Sequence, residues 1–237
     1  MTGSERGRGS SPEIRNSRLF DRLKEACRAD WDAYVQHDFV RQIGEGSLPK
    51  ECFQHYLKQD YLFLIHFARA YALAVYKSTN LEDMLQAKKS LEIILDQEIS
   101  LHVQYCADWD ISQRDLAALP ESLATLGYTR FVLERGAAGN LLDLHAALAP
   151  CVVGYAEVAN WLVAQPWVKL EGNPYRPWIE MYAEEDYQAA ARAEIEQLDR
   201  LAVGDSTGAR FEELAATFGT VTRLEIGFWE MGLTLAR

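Results

Sequence analysis

Three side chains stand out for chemistry because of where they sit: Cys151, Asp60 and Glu225. Cys151 follows Pro150 in the middle of NLLDLHAALAPCVVGYAEVANWL, residues 140–162, where only Asp143, His145 and Glu157 can carry charge. A segment apolar nearly all round reads as a buried helix, since a surface helix shows a polar face. Pro150 has no N–H for the carbonyl of Ala146, and its ring pushes the chain toward a kink, at a cost of ~3 kcal/mol inside a helix. Breaks of local rules gather at functional sites, so a thiol carried on the break is a candidate nucleophile. A free cysteine is equally at home as a small buried hydrophobe. Tyr155, four residues on, shares the face of Cys151.

Asp60 lies in QDYLFLIHFARAYALAVY, followed at once by Leu62, Phe63, Leu64 and Ile65. A carboxylate in such a run is costly unless hydrogen-bonded or paired. Arg69 or a neighbouring helix could supply that partner, and function competes with this structural role. Phe63 and Phe67 share the Asp60 face, and core packing would account for Phe63. Glu225, in RLEIGFWEMG, sits among Leu224, Ile226, Phe228 and Trp229. A glutamate among aromatics has a raised pKa, which suits acid/base work. The alternative is a glutamate turned to water, and Glu230 fits that description better. Gly227 beside it would let another helix approach. His66 reads as a hydrogen-bonded core histidine rather than a haem or metal ligand. The pairs Glu51/His55 and Glu98/His102 have Glu-x-x-x-His spacing, not the Glu-x-x-His of di-iron bundles. They read as polar caps on a packed face, with no metal and no cofactor expected.

The elements that must hold these residues are all helical. Pro12 to about Gln36 carries helical apolar spacing. After a break at Gly44–Ser47, Ser47 is placed to cap a helix running to about Lys77. Asn80 caps the next, from Leu81 to about Ala107, with Asp83 third in it. A loop with a short helix spans 109–120, and residues 121–135 form a helix ahead of the Cys151 helix. QPWVKLEGNPYRP is irregular. WIEMYAEEDY brings Trp178 and Tyr182 to one side, an acidic helix follows to about Ala202, and a last one runs from Phe211 to about Leu235. No hairpin, repeat or Gly-rich phosphate loop is visible. The expected architecture is all-α: a bundle of roughly eight helices in a single domain, 12–237, behind a disordered Gly/Ser/Arg-rich tail, 1–11.

Composition narrows the classes. A chain of 237 residues that is 49% hydrophobic allows a sizeable core. A net charge of -11 argues against nucleic acid as a partner. No apolar run is long and uninterrupted enough to span a membrane, and no secretory signal follows Met1. Cys27, Cys52, Cys106 and Cys151 are scattered, as reduced thiols of a cytoplasmic protein would be.

QDYLFLIHFAR, GYTRF, LAPCVVGYAEV, WIEMY and LEIGFWEM occur in one order across nearly the whole chain. In these motifs the sequence resembles the TenA family, also called thiaminase II or aminopyrimidine aminohydrolase. The resemblance implies a multi-helix fold like that of haem oxygenase, without haem, assembled as a homotetramer. It implies hydrolysis of 4-amino-5-aminomethyl-2-methylpyrimidine to the 5-hydroxymethyl compound and ammonia, a thiamin salvage reaction. Some members also cleave thiamin. One branch lacks the cysteine and relies on a glutamate, so Cys151 places the resemblance with the cysteine branch. By the same resemblance Cys151 falls on the nucleophile and Glu225 on the acid/base. Asp60 falls on the carboxylate holding the amino group and ring nitrogen. Tyr128 and Tyr182 fall on tyrosines near the thiol, and Tyr155 on a stacking aromatic. Phe63 stands where some members have tyrosine, which leaves stacking but removes a hydroxyl.

These residue types suit that chemistry. A flat aminopyrimidine wants aromatic faces and hydrogen-bonding partners for its nitrogens. A leaving group on a ring methylene departs once a nucleophile has broken the aromaticity, and cysteine, partly ionised near neutral pH, is a strong one. A pyrimidine-binding or regulatory protein would keep Asp60, Phe63 and Tyr155 but have no use for Cys151 with Glu225. A haem or di-iron oxidase on the same fold is the other alternative, and a Soret band or bound iron would reveal it.

Overall fold

The computed structural model describes residues 18–204 and 207–237, all helix and connecting loop, with no strand among them. The expected tail, 1–11, lies outside the described residues, as does the expected helix start at Pro12. The N-terminal segment forms three short helices rather than one: α1 (Leu19–Ala26), α2 (Arg28–Val35) and α3 (Asp38–Glu45). Cys27, at φ -124°, breaks the first from the second. The His37 ring then accepts from the Phe39 N–H and starts α3, a helix that hydrophobic spacing alone did not disclose. Gly46, at φ 71°, ends α3 in the left-handed region that glycine tolerates. Ser47 does not cap α4 (Lys50–Lys77), because its hydroxyl bonds Glu45 and Pro49 occupies the cap.

Next come α5 (Leu81–Ile93), a five-residue π-turn (Ile94–Glu98) and α6 (Ile99–Ala107). The Asn80 side chain accepts from the Asp83 N–H at 2.9 Å, as the cap signal required. A π-turn widens the helix by one residue and re-aims the side chains beyond it, and such turns recur at functional sites. Then come α7 (Gln113–Ala117), α8 (Leu123–Ala138), α9 (Leu141–Val163), α10 (Arg176–Ala183), α11 (Glu185–Leu201) and α12 (Gly208–Thr234).

The Cys151 helix, α9, is the axis. Asn140 and Asp143 form a reciprocal capping box at its start, and the helix continues through Pro150. It packs against α8, α10, α11 and α12. By length and composition it could cross a bilayer, contrary to the sequence expectation, but neighbouring helices bury 72% of its most apolar stretch. Burial is what such a helix needs, and here protein supplies it.

The N-terminal helices close over one side. The Leu19 N–H bonds Asp199 at 2.7 Å. Lys24 bridges to Glu157 on α9 at 2.6 Å, and the Trp31 indole N–H reaches the same carboxylate at 2.9 Å. Tyr34 lies flat against Gly154, so close that a Cβ there would sit 2.2 Å from its ring. The close approach expected at Gly227 is not found, for a Cβ there meets open space; Gly232 is the α12 glycine against which Phe39 packs.

Candidate active site

Side chains from α4, the π-turn, α6, α8, α9, α10 and α12 form one buried polar network. On its first side is Asp60, 3% exposed. Its Oδ2 accepts from the Tyr56 hydroxyl at 3.0 Å and lies 2.6 Å from His102 Nε2. His102 Nδ1 faces the Glu98 carbonyl at 2.7 Å and must donate to it. With both ring nitrogens on acceptors, His102 serves best as an imidazolium. Burial works against that charge, but the Asp60 carboxylate and the Glu98 carbonyl outweigh it and raise the pKa. The partner of Asp60 is therefore on a neighbouring helix. Arg69 instead reaches His66, which is half-buried between Arg69, Arg130 and Glu121. The Tyr56 hydroxyl is also 3.2 Å from that of Tyr155 and accepts from the Trp178 indole at 3.3 Å. Tyr155 and Tyr182 rings lie 4.8 Å apart.

On the second side is Glu225, 1% exposed. It is not turned to water, while Glu230 is exposed. Tyr128 donates to it at 2.6 Å, and the Cys151 thiol lies near enough for its charge to couple to the same carboxyl. Burial pushes Glu225 up to about 8; Tyr128 and Cys151 oppose this, and the Asp60 charge adds to it. Burial, then the Glu225, Glu98 and Asp60 carboxyls, push the Cys151 thiol well above its ordinary value. The expectation of a partly ionised cysteine is thereby corrected: among the described residues no cation contributes at the sulfur, and low dielectric with nearby carboxyls disfavours the thiolate. Phe63 packs on Tyr128 at 4.7 Å between centroids, stacks on Phe67 at 5.1 Å and meets Phe228 at 5.6 Å.

The structure joins all seven candidates, Cys151, Glu225, Asp60, Phe63, Tyr128, Tyr155 and Tyr182. It also corrects the reading of Glu98 and His102 as caps on a packed face. His102 is fully buried and paired to Asp60, and Glu98, 9% exposed, accepts from Tyr182 at 3.4 Å. Their four-residue spacing, facing an Asp60 in need of a partner, was the available signal. Tyr56, one turn before Asp60, was missed for want of any local peculiarity. Cys151 and Glu98 share a narrow cleft walled by Phe67, Tyr71, Ile93 and Tyr187 among others. Three cysteines lie elsewhere: Cys52 donates to the Leu233 carbonyl, Cys27 meets Thr222, and Cys106 is buried in a separate small cluster. Among the described residues no His, Cys, Asp or Glu group is placed to hold a metal ion.

The model of the TENA/THI-4/PQQC family matches residues 24–235. An aminopyrimidine aminohydrolase of Halalkalibacterium halodurans is 38% identical over 216 residues, covering 88% of this chain and 92% of that protein. A solved structure described as a TenA family transcription regulator, from Silicibacter sp. TM1040, superposes with a TM-score of 0.85 at 43% identity, covering 92% of this chain and 97% of that one. A Shewanella denitrificans domain with a haem oxygenase-like fold gives 0.68 at 13% identity, covering 91% and 92%, which establishes the fold alone.

Proposed function

Because the chain belongs to the TENA/THI-4/PQQC family, we propose that it is a cysteine-dependent aminopyrimidine aminohydrolase. It is a hydrolase acting on a C–N bond, and its substrate is 4-amino-5-aminomethyl-2-methylpyrimidine, with thiamin as a second one. The nearness of the buried Cys151 thiol to the buried Glu225 carboxyl carries this reading, because a pure binder needs no such thiol beside a carboxyl held near neutrality.

The ring binds with Asp60 on its amino group and ring nitrogen, Asp60 being held for the task by His102 and Tyr56. Tyr155 and Phe63 supply the flat walls, and Tyr128 and Tyr182 orient the carboxyls beside the sulfur. Glu225 takes the thiol proton and passes it to a ring nitrogen as sulfur bonds to a ring carbon. The dearomatised ring then expels the substituent: the C–N bond breaks, its electrons leave with nitrogen, and the ammonium form departs as ammonia. Water adds to the exocyclic methylene and gives a proton to Glu225, which hands it to the departing ammonia and is again the base. The C–S bond then breaks, the ring N–H proton returns to sulfur, and aromaticity is restored. A carboxyl poised near 8 both accepts and donates near neutral pH.

The assembly is a homotetramer in the cytoplasm, acting on a small molecule without nucleic-acid or membrane partners. The acidic balance of 35 Asp and Glu against 24 Lys and Arg supports the exclusion of nucleic acid. Ammonia release from the aminomethylpyrimidine and from thiamin, with light scattering on the same sample, tests the proposal. Tight pyrimidine binding with no ammonia and no hydroxymethyl product would replace it with the regulatory or binding role.

A further inference from the structure

The cleft that reaches Cys151 does not include Asp60, Phe63, Tyr155 or Glu225 in its walls. The sulfur therefore stands at a junction. The ring-holding residues lie on one side, and a mostly apolar cleft lies on the other. A substrate whose ring occupies the first must direct its methylene substituent into the second.

Few polar groups line that cleft. Ser90 bonds back to the Gln86 carbonyl, and Tyr71 donates to Glu194. That leaves the Cys151 thiol, the Tyr187 hydroxyl and the Glu98 carboxyl, and the one hydrogen bond of Glu98 among the described residues is the long 3.4 Å contact from Tyr182. Among the described residues Glu98 has no salt bridge, and His102 turns its Nε2 to Asp60. Glu98 ends the π-turn, whose extra residue sets its register on the cleft wall. A buried carboxyl with acceptor capacity to spare, in an apolar cleft next to a reactive sulfur, has unmet hydrogen-bonding demand.

We propose that Glu98 forms a leaving-group subsite, accepting hydrogen bonds from a primary amine on the substrate's methylene and so selecting amines over neutral substituents. The proposal rests on the aminohydrolase reading for the orientation of the ring. Burial and the Asp60 charge hold the Glu98 carboxyl at about 7, so an arriving ammonium ionises it with little further change. The amine is recognised before any bond breaks, so affinity alone reports it. The apolar walls exclude water and sharpen the preference.

Binding without turnover separates the subsite from the reaction. Cys151→Ser and the Cys151→Ser/Glu98→Gln double variant are titrated calorimetrically with 4-amino-5-aminomethyl-2-methylpyrimidine and with 4-amino-2,5-dimethylpyrimidine, which lacks the amine. The double variant is expected to lose ~10–100-fold in affinity for the amine, the scale of one charge-assisted hydrogen bond. Its affinity for the dimethyl compound should change less than about threefold. Equal losses for both ligands, or none for either, overturn the subsite. If the Gln variant melts early, Glu98→Asp is read the same way, and it too must weaken the amine selectively. Ammonia release by the unmodified protein is scored separately: its absence with selective amine binding retained rejects the aminohydrolase reading and leaves the subsite standing.

Discussion

The two sides of the buried network treat their carboxyls in opposite ways. Asp60 has His102 at 2.6 Å and Tyr56 at 3.0 Å, so its charge is matched. Glu225 and Glu98, also buried, have tyrosine hydroxyl donors but, among the described residues, no ion pair, and burial first of all pushes them up to about 8 and about 7. A matched carboxylate holds its charge and can fix a ligand's orientation. An unmatched one sits near neutrality and can move a proton. Burial is common to both sides, so the difference lies in the counter-ion and not in exposure.

The sharpest way to break the comparison is to remove the group that the unmatched side serves. Cys151→Ser is expected to abolish turnover while leaving helicity and melting temperature almost unchanged, since the exchange alters one buried atom. Serine at Cys27, Cys52 or Cys106 should leave ammonia release largely intact. Full activity in Cys151→Ser would end the covalent mechanism.

Glu225→Gln should lower kcat by ~10²–10⁴-fold, because shape is kept and the proton carrier lost. Wild-type kcat/KM should rise with pH through an apparent pKa near 8, where Glu225 becomes the base. The stability effect has the opposite sign. The folded pKa lies above the ordinary 4.5, so the folded state binds more protons between 4.5 and about 8. The contribution is whole below 4.5 and is lost as pH climbs toward 8. Glu225→Gln should therefore gain melting temperature over wild type at pH 8 and not at pH 4.5; a constant difference across that range would contradict the raised pKa.

On the matched side, His102→Gln leaves Asp60 with a neutral partner. Removing one member of a buried pair costs ~3–5 kcal/mol, and KM should rise ~10-fold or more as Asp60 loses its fixed place. A melting curve and KM equal to wild type would show that Asp60 needs no imidazolium. Phe63→Ala is the mildest: KM should rise several-fold to about a hundredfold through lost stacking and burial, with Phe63→Tyr near neutral. If melting falls by ~3–5 kcal/mol and KM is unaltered, Phe63 is ordinary core.

Residues whose environment conflicts with their type were legible from sequence. Cys151 on Pro150, Asp60 in an apolar run and Glu225 among aromatics each violate a local rule, and each lies in the network. Partners supplied from distant helices were not legible. His102 is 42 residues from Asp60, and its four-residue spacing from Glu98 signals a buried polar face without saying which carboxylate it meets. Glu98 depends on a π-turn, which leaves no mark on apolar periodicity. The ionisation of Cys151 was not legible because it depends first on its burial and then on three carboxyls from three other elements. Helix types followed from spacing and caps, and the N-terminal boundaries failed where Cys27 and His37 divide the segment and where Pro49, not Ser47, stands at the cap of α4.

The clasp of the first helices onto α9 and α11 fixes when the pocket can exist. Leu19 bonds Asp199 across 180 residues, and Lys24 reaches Glu157 across 133. During synthesis the opening segment emerges long before its partners, and loop closure of that length must precede any reward. Tyr34 can settle on Gly154 only after α9 has left the ribosome. The earliest-made wall of the pocket is thus among the last to dock. A chain halted before α12 also lacks Glu225 and carries its reactive thiol unguarded, which makes the closing helix a checkpoint on the nascent protein's safety as well as its stability.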